Sequence, residues 1–310
     1  MTDTLGSIDA RSVSRRLRDG SGLRLQIGPF VVEVGALPPD VAASLRALYA
    51  DYPLASSDAF VDFRVGVRRR AAPGRPWTRQ VVFGVEGQEP FNPLPGDQGF
   101  PLLEWGLNWC VYSMCHQYLI LHAAVLERAG RALVLPAPSG SGKSTLCAGL
   151  LFHGWRLLSD ELALIDPHDG RIVPVPRPVS LKNASIEAMR RFAPTIRFDS
   201  RVEDTAKGIV AHFAAPAASV AAAAVPARPG WVVVPRFVAG APARLQPIEK
   251  AHAFMSLVEN AFNYDVFGVE GFELLAALVD RCETYEFEYG DLAEAVAVFA
   301  RLADGPAAAA

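Results

Sequence analysis

The sequence predicts an α/β fold in two parts, a smaller α+β module over residues 1–98 and a larger α/β module over residues 99–310. The first part contains alternating apolar segments around a Pro-Gly turn, which is typical of a β-hairpin. The second part alternates strand-like and helix-like segments, and a glycine-rich turn joins one strand to the helix that follows it. A chain of 310 residues is long enough for two domains.

Composition excludes several classes of protein. Hydrophobic residues make up 51% and charged residues 20% of the chain, which favours a folded core over disorder. The 30 basic and 33 acidic residues give a net charge of -3, so no surplus of positive charge indicates nucleic acid or an anionic membrane as a partner.

The chain lacks the apolar segment of a signal peptide and any apolar run close to the roughly 18 residues of a membrane helix. We therefore expect a cytoplasmic protein whose four cysteines, which lack zinc or CxxC spacing, are buried free thiols.

Strand and helix patterns predict the elements of the N-terminal module. Residues 23–34 mix alternation with β-branched runs and indicate one or two strands, and residues 38–52 begin Pro-Pro-Asp and have helical spacing of apolar residues. Residues 59–70 and 78–87 alternate as the two arms of a hairpin. A group of arginines on this hairpin would either dock an acidic peptide or face solvent; they are Arg64, Arg68, Arg69, Arg70, Arg75 and Arg79.

The larger module alternates helices and strands as far as a closing amphipathic helix. Residues 100–126 begin as a buried helix and end as the strand "LILHAAVL", and a second strand leads into the glycine-rich turn. Residues 155–166 indicate two short strands that meet at an acidic corner, and residues 214–229, rich in alanine and proline, are expected to form a mobile connection. Further strands are predicted at 171–182, 230–238 and 282–289, and helices at 144–153, 183–193, 248–262, 270–281 and 291–303.

The segment "VLPAPSGSGKSTL", residues 134–146, has the features of a phosphate-binding loop. Glycines let backbone amides approach phosphate oxygens, and the helix N-terminus adds free amides and the positive end of the helix dipole. Lys143 supplies a positive charge for the outer phosphates, and the Ser144 hydroxyl is a magnesium ligand. The pattern G-x-x-x-x-G-K-[ST] is met except at its first position, Ala137; the alternative is a glycine-rich turn that binds nothing. The residues expected to bind phosphate are Pro138, Ser139, Gly140, Ser141, Gly142, Lys143, Ser144 and Thr145.

Two adjacent carboxylates follow this loop closely. Asp160 and Glu161 lie 17 and 18 residues beyond Lys143, one helix and one short strand later, so the chain returns beside the loop. One carboxylate would hold magnesium and the other would accept a proton from an incoming hydroxyl, although a solvated turn explains the same residues. His122 lies on the strand before the loop strand, where a histidine is either a hydrogen-bonded core residue or a functional one.

Together these segments resemble the catalytic core of the HPr kinase/phosphorylase group, whose structural relatives include ATP-dependent phosphoenolpyruvate carboxykinase. The shared features are a histidine ahead of the loop, a short S-G-x-G-K-S loop, a helix ending in Gly154 and a strand ending in paired acids, over about residues 120–166. The sequence looks closest to HPr-kinase-related proteins encoded beside peptide-modification genes, some of which phosphorylate a serine of a ribosomally made precursor peptide. The resemblance implies a P-loop core with a mixed sheet, and ATP and magnesium as cofactors.

The resemblance also implies roles for the matching residues near the loop. Lys143 and the amides from Gly140 to Ser144 bind the nucleotide phosphates, and Ser144 binds magnesium. Asp160 matches the acid that takes the proton of the substrate hydroxyl, with His122 beside it as an orienting or electrostatic partner. Glu161 matches the second acid of the pair, which is Asp in the family.

Further along the chain the match is looser. "VEDTAKGIVAH" stands where the family has E-x-R-G-x-G, so Glu203 or Asp204 would supply a metal-binding carboxylate and Lys207 the cation. The family's arginine-containing loop has no clear match, although Arg236 is available. Between these regions Arg177, Lys182 and Asn183 would face the nucleotide or the acceptor; the alternative is that Asn183 caps a helix and Lys182 is solvated.

The implied function is an ATP- and magnesium-dependent kinase that transfers the γ-phosphoryl group to a hydroxyl, preferably a serine of a small protein or ribosomal peptide. One alternative is a small-molecule kinase. The other is a module that binds a peptide in response to nucleotide without catalysis, which Glu161, Ala137 and the unmatched arginine loop would favour. Related kinases assemble as oligomers, so a homo-oligomer is one hypothesis, although the residues themselves do not indicate an oligomeric state. The N-terminal module resembles no known module, and a separate hypothesis is that it positions the acceptor.

Overall fold

The computed structural model describes residues 3–19, 21–72, 75–138 and 140–305. Three sheets and the helices around them form a mixed α/β architecture, which confirms the predicted α/β class. Two of the sheets are themselves mixed, because each contains both parallel and antiparallel strand pairs.

The N-terminal module is built around a five-stranded sheet with the order β1-β2-β3-β4-β5. The predicted hairpin forms its centre, and the helix predicted after Pro38 is present. In chain order the elements are a 3-10 turn (Leu5–Ser7), α1 (Ala10–Asp19), β1 (Leu23–Ile27), β2 (Phe30–Val34), α2 (Pro39–Leu48), β3 (Phe63–Ala72), β4 (Arg75–Val85) and β5 (Leu94–Pro95).

A buried helix leads into the first strands of the central sheet, as the sequence predicts. The strand before the glycine-rich turn is antiparallel to the strand ahead of it, and the two short strands that flank the acidic corner both pair with that same earlier strand. The elements are α3 (Gly99–Met114), β6 (Leu119–Arg128), β7 (Arg131–Pro136), α4 (Lys143–Leu151), β8 (Arg156–Ser159), β9 (Leu162–Ile165) and β10 (Ile172–Val173).

A three-stranded antiparallel sheet with the order β11-β13-β12 follows. Its β12–β13 hairpin was not predicted, because the charged residues at its turn hide the alternation of buried residues along the strands. The elements are β11 (Val179–Lys182), α5 (Ala184–Phe192), β12 (Ser200–Thr205), β13 (Gly208–Phe213) and α6 (Ala217–Ala221).

The C-terminal part completes the central sheet, whose order is β10-β9-β6-β7-β14-β16-β15, with β8 paired to β6 outside this path. The strands β7, β14 and β16 run parallel to one another, so their carboxyl ends meet at one edge. The elements are β14 (Arg228–Phe237), β15 (Arg244–Pro247), α7 (Lys250–Glu259), α8 (Tyr264–Phe267), α9 (Val269–Arg281), β16 (Glu283–Tyr289) and α10 (Leu292–Asp304).

Alternation along the central strands gives the sheet two apolar faces, each covered by helices. On β7, Leu133 and Leu135 belong to the core shared with α4 and α10, whereas Ala132 and Val134 face the core shared with α7 and α9. A strand that is buried on both faces has an almost continuous apolar sequence, which explains why "RALVLPA" shows no alternation of polar residues.

Helix α3 joins the two modules through a close approach to the N-terminal sheet. A Cβ atom added to Gly106 would lie 2.3 Å from the Phe83 ring, so glycine lets the helix backbone lie directly against β4. One apolar core runs from Leu5 in the first module to Phe299 in the last helix. The sequence boundary at residue 98 therefore separates two sheets that share a core.

The segment 214–229 differs from its prediction as a mobile connection. It contains α6, and Ser219, which is 2% exposed, accepts a hydrogen bond of 2.9 Å from the Leu157 backbone amide. Arg156 donates to the carbonyls of Ala222 and Val225 at 3.0 and 2.9 Å. Alanine has no polar side chain, so the letters of this segment do not indicate that its backbone groups are bound by β8.

Candidate functional site

The glycine loop, residues 137–144, joins β7 to α4 and takes two turns that favour glycine. Gly140 has a φ of +93° and Gly142 a φ of +89°, a region that residues with a Cβ rarely adopt. Ala137 is not among the non-glycine residues with positive φ in the described part of the chain. Alanine therefore fits the position where the usual pattern has glycine. Ser139, predicted to bind phosphate, lies outside the described residues.

The carboxyl ends of β14 and β16 contact the backbone of the glycine loop. The Tyr289 hydroxyl donates to the Gly142 carbonyl at 2.8 Å, and the Phe237 backbone amide donates to the Ser141 carbonyl at 2.9 Å. A Cβ atom on Gly142 would lie 2.5 Å from the Tyr289 hydroxyl oxygen and 2.8 Å from the Phe237 Cβ. Sequence analysis missed both contacts, because each requires knowing that β14 and β16 run parallel to β7.

The first turn of α4 places backbone amides at the end of the glycine loop. The helix begins at Lys143, and the amides of its first residues, including those of Ser144 and Thr145, have no acceptor within the helix. The positive end of the helix dipole lies at the same place. Ser144 and Thr145 are partly exposed, so the site is open to a ligand.

Lys143 is buried although it carries a charge. Its side chain is 5% exposed, and its ammonium donates to the carbonyl of Ala137 at 3.3 Å. Burial lowers the pKa of Lys143 to about 8, while the negative charges of Glu161 and Asp160 act in the opposite direction. The ammonium therefore lies within electrostatic range of both acids and keeps its proton at neutral pH.

The acidic corner between β8 and β9 lies at the level of the loop, on the other side of β6. Ala123 of β6 pairs with Pro136 at the end of β7, and its amide donates to the Glu161 carbonyl at 3.1 Å. Neighbouring strands are about 4.8 Å apart, so the backbones of the corner and the loop strand are separated by roughly 10 Å. The structure thus brings the predicted acids and the predicted loop to one edge of the sheet.

Asp160 is fixed in a buried position. Its side chain is 3% exposed, and its Oδ2 accepts a hydrogen bond of 3.0 Å from the Ser180 backbone amide. Burial, followed by the neighbouring charge of Glu161, raises the pKa of Asp160 to about 7. A carboxyl with such a pKa exchanges a proton near neutral pH, as a general base must.

Glu161 lies in a more polar and more open position, with its side chain 23% exposed. Its carboxylate accepts a hydrogen bond of 3.2 Å from the Asn108 side chain and lies 3.9 Å from the Lys182 ammonium. Burial acts to raise the pKa of Glu161, but the charges of Lys182 and Lys207 outweigh it and hold the pKa below its usual value. Glu161 is therefore an anion at neutral pH.

His122 is half-buried beside the loop and the acids. Burial and, to a smaller extent, the charge of Lys143 lower the pKa of His122 to about 4, so the imidazole is neutral. Its backbone amide donates to the Asn260 carbonyl at 2.7 Å, and its ring centroid lies 6.0 Å from that of Phe262. Of the two acids, Glu161 is the one whose charge acts on His122, whereas the resemblance places the histidine beside Asp160.

The structure does not bring Glu203 to this cluster. On β12, Val202 pairs with Val210 and points to the same side of the three-stranded sheet as His212 and the site, so Glu203 points to the opposite side. There the Glu203 carboxylate pairs with Arg201 at 2.7 Å and is 66% exposed. Asp204 lies in the irregular part of β12, is exposed, and contributes its backbone carbonyl to Gln98.

Lys207, in the turn after β12, does lie on the side of the acids. Its ammonium is 5.1 Å from the centroid of the Trp105 ring, and its charge acts on Glu161. Lys182 faces Glu161 in the same way, whereas the Asn183 side chain accepts from the Ile209 amide at 3.0 Å and fixes the hairpin. Of these predicted alternatives, Lys182 faces the site and Asn183 has a structural role.

Several other basic residues singled out by sequence are paired with acids away from the loop. Arg236, which is 75% exposed, contacts Glu288. On the N-terminal hairpin Arg69 lies 2.8 Å from Asp40, and Arg68 and Arg70 share Glu89. The side chain of Arg75 lies outside the described residues. These pairs favour a solvated hairpin over a surface for an acidic peptide.

Sequence analysis missed Glu104 and Asn108, which surround the acids on the α3 side together with Arg177. Glu104, Asn108 and Arg177 line a small cavity together with Asp160 and Glu161. All three are buried, and the sequence indicated Arg177 only as a contact of the nucleotide or the acceptor. A glutamate and an asparagine within an otherwise apolar helix sequence were the available signal, because such residues are rarely buried without a partner.

Oxygen donors suited to magnesium are present at the loop and the corner. Magnesium prefers hard oxygen ligands, often one or two protein oxygens in addition to substrate phosphates. The Ser144 hydroxyl and the anionic carboxylate of Glu161 fit this requirement. Within residues 3–19, 21–72, 75–138 and 140–305, no group of three or more His, Cys, Asp or Glu side chains is arranged to hold a metal by itself.

Comparison with known proteins leaves the site to be interpreted from its own geometry. No protein-family model matches the chain, and no curated protein matches it. None of the helices in the described ranges is long and apolar enough to cross a membrane. All four cysteines are buried and free, as predicted.

Proposed function

We propose that this chain is an ATP- and magnesium-dependent kinase with a P-loop core similar to that of the HPr kinase/phosphorylase group. It transfers the γ-phosphoryl group to a hydroxyl, preferably that of a serine in a small protein or ribosomal peptide. The choice of a serine acceptor follows from the sequence resemblance, whereas the transfer itself is supported by the arrangement of the site.

One observation carries the proposal. The buried ammonium of Lys143, at the start of α4, lies within electrostatic range of two carboxylates whose pKa values are shifted in opposite directions. A glycine-rich turn that binds nothing would not require a buried lysine, and a solvated turn would not bury Asp160. Pairs of acids with separated pKa values are typical of sites where one carboxylate moves a proton and the other remains charged.

The chemistry assigns one task to each group. The acceptor oxygen forms a bond to the γ-phosphorus, the bond between that phosphorus and the β–γ bridging oxygen breaks, and ADP leaves. The hydroxyl proton passes to Asp160. Lys143 and the first amides of α4 offset negative charge on the phosphates, because charge stabilisation and positioning dominate phosphoryl transfer.

Magnesium belongs to the substrate in this proposal, since it enters bound to ATP. It neutralises phosphate charge when bound. The Ser144 hydroxyl and the Glu161 carboxylate are the protein oxygens that would hold it. Glu203, on the far side of its sheet, is not assigned a role, and neither is the exposed Asp204.

The proposal is tested by incubating the full chain with Mg-ATP and two sets of acceptors. One set contains serine peptides, each paired with its alanine analogue, and the other contains sugars and amino acids with free hydroxyls. Mass spectrometry should detect a gain of one phosphoryl group on a serine peptide and none on its alanine analogue. A gain only on small hydroxyl compounds would support the small-molecule kinase, and nucleotide binding without any product would support the binding module.

A further inference from the structure

A buried chain of polar contacts begins in the N-terminal module. The hydroxyl of Tyr49, which follows α2, donates to Glu104 Oε1 at 2.6 Å. Tyr49 is fully buried, and Glu104, on α3, is 4% exposed. This contact links the N-terminal module to the helix that lies against the acidic corner.

Arg177 continues the chain from Glu104. Its guanidinium lies 3.5 Å from Glu104 Oε2, donates to the Glu104 carbonyl at 3.3 Å and also donates to Oδ1 of Asn108. Arg177 is 6% exposed, so its charge depends on these partners rather than on water. A buried ion pair needs hydrogen bonds to its remaining donors and acceptors, so its geometry depends on each neighbour.

Asn108 transmits this geometry to Glu161. A guanidinium can only donate hydrogen bonds, so Arg177 must face the amide oxygen of Asn108. The amide NH2 group is then directed to the other side, where it donates to Glu161 Oε2 at 3.2 Å. The direction of the Asn108 amide, and with it one bond to the Glu161 carboxylate, is therefore determined by Arg177.

We propose that Tyr49 is a positioning residue for Glu161, acting through Glu104, Arg177 and Asn108. The N-terminal module thereby takes part in shaping the acidic corner, in addition to any role in binding an acceptor. The catalytic consequence rests on the proposed kinase function, whereas the effect on the position of Asn108 does not.

Tyr52 provides a matched control. It is 1% exposed, and its ring centroid is 4.4 Å from that of Tyr49. Its hydroxyl donates to the Pro176 carbonyl at 3.0 Å rather than to a carboxylate. Tyr52→Phe therefore removes a buried hydroxyl and one hydrogen bond, as Tyr49→Phe does, but leaves Glu104 with all its partners.

The first measurement uses the side-chain amide signals of asparagine in the ¹⁵N-labelled full chain, with Asn108→Ala to assign the signal of Asn108. Tyr49→Phe should shift this signal, and Tyr52→Phe should leave it in place. Equal shifts in the two variants, or no shift in Tyr49→Phe, would overturn the proposal. This result does not depend on whether the chain is a kinase.

The second measurement is the kinetics of transfer from Mg-ATP to the serine peptide that gives the highest rate. Tyr49→Phe should lower kcat roughly tenfold without changing KM for Mg-ATP. This loss is smaller than the roughly hundredfold loss of rate that a 1 Å misplacement causes. Arg177→Lys, which keeps the charge but loses the planar fork, should have the same effect and replaces Tyr49→Phe if that variant does not fold. A rise in KM at constant kcat would contradict a positioning role. Absence of transfer in the wild type would reject the kinase and leave the amide measurement to decide.

Discussion

Asp160 and Glu161 are adjacent in sequence, yet their carboxylates have pKa values shifted in opposite directions. Burial and the charge of Glu161 raise the pKa of Asp160 to about 7. Burial also acts on Glu161, but the nearby lysines hold its pKa below the usual value. One acid can therefore exchange a proton near neutral pH while its neighbour stays charged.

Asp160→Asn should strongly reduce the rate of transfer and spare nucleotide binding. Asparagine keeps an oxygen for the Ser180 amide but cannot accept the hydroxyl proton, so we expect the rate to fall roughly a hundredfold or more. The measurements are transfer of labelled γ-phosphate and calorimetric titration with Mg-ATP. Asp169→Asn, an exposed residue after the same pair of strands, should behave as wild type. Full activity in Asp160→Asn would reject its assignment as the base.

The pH dependence of kcat/KM should show an acid limb with its midpoint near pH 7. Asp160 must be ionised to accept a proton, so the rate falls about tenfold per pH unit below the pKa of Asp160. The charge of Glu161 raises the pKa of Asp160. Glu161→Gln should therefore lower that pKa, and the acid limb of the activity that remains in this variant should have its midpoint at a lower pH. A flat profile, or a midpoint that moves to higher pH, would be inconsistent with this assignment.

Gly142→Ala should be more harmful than Gly140→Ala. Both residues have positive φ, so each substitution costs about 1–2 kcal/mol of backbone strain. Only at Gly142 would the new Cβ meet other atoms, those of Tyr289 and Phe237, whereas nothing lies within 4 Å at Gly140. Urea unfolding should show an additional loss of about 1–3 kcal/mol for Gly142→Ala. Equal losses would show that β14 and β16 do not hold the loop.

His212 should make the free energy of unfolding depend on pH. It is 1% exposed, neither ring nitrogen has a partner in the described ranges, and burial lowers the pKa of His212 to about 3. Between this value and the unfolded pKa of about 6.5, the unfolded chain binds the extra proton, so stability falls as pH falls. From pH 7 to pH 5 this loss is about 2 kcal/mol.

Urea unfolding of His212→Leu at pH 7 and pH 5 measures this contribution. The variant should lose about 2 kcal/mol less than the wild type between the two pH values. His116→Leu, at an exposed position, serves as the control and should follow the wild type. A pH dependence unchanged by His212→Leu would contradict a neutral buried imidazole.

The sequence predicted most strands and helices because their apolar periodicity is strong. The two strands around the acidic corner and the helix after Gly142 are examples, and the short gap between Lys143 and Asp160 correctly indicated that the acids return beside the loop. Local pattern was sufficient here, because the elements are consecutive in the chain and pair with one strand, β6.

The parts that could not be predicted depend on contacts between distant residues. Tyr289 contacts Gly142, which is 147 positions away in the sequence, and Tyr49 contacts Glu104, which is 55 positions away. Glu203 was chosen by its place in a loosely matching segment, and only the register of β12 against β13 shows that it points away from the acids. Periodicity identifies an element, but the side of a sheet that a charged residue faces depends on its neighbouring strands.

We expect the loop ending at Lys143 and Ser144 to bind the phosphates of Mg-ATP. Calorimetric titration of the full chain with Mg-ATP tests it most directly, with Lys143→Ala as the variant and Lys250→Ala, an exposed lysine on α7, as the control. We expect saturable binding to the wild type and to Lys250→Ala, and no binding to Lys143→Ala. No heat of binding in the wild type, or undiminished affinity in Lys143→Ala, would contradict it.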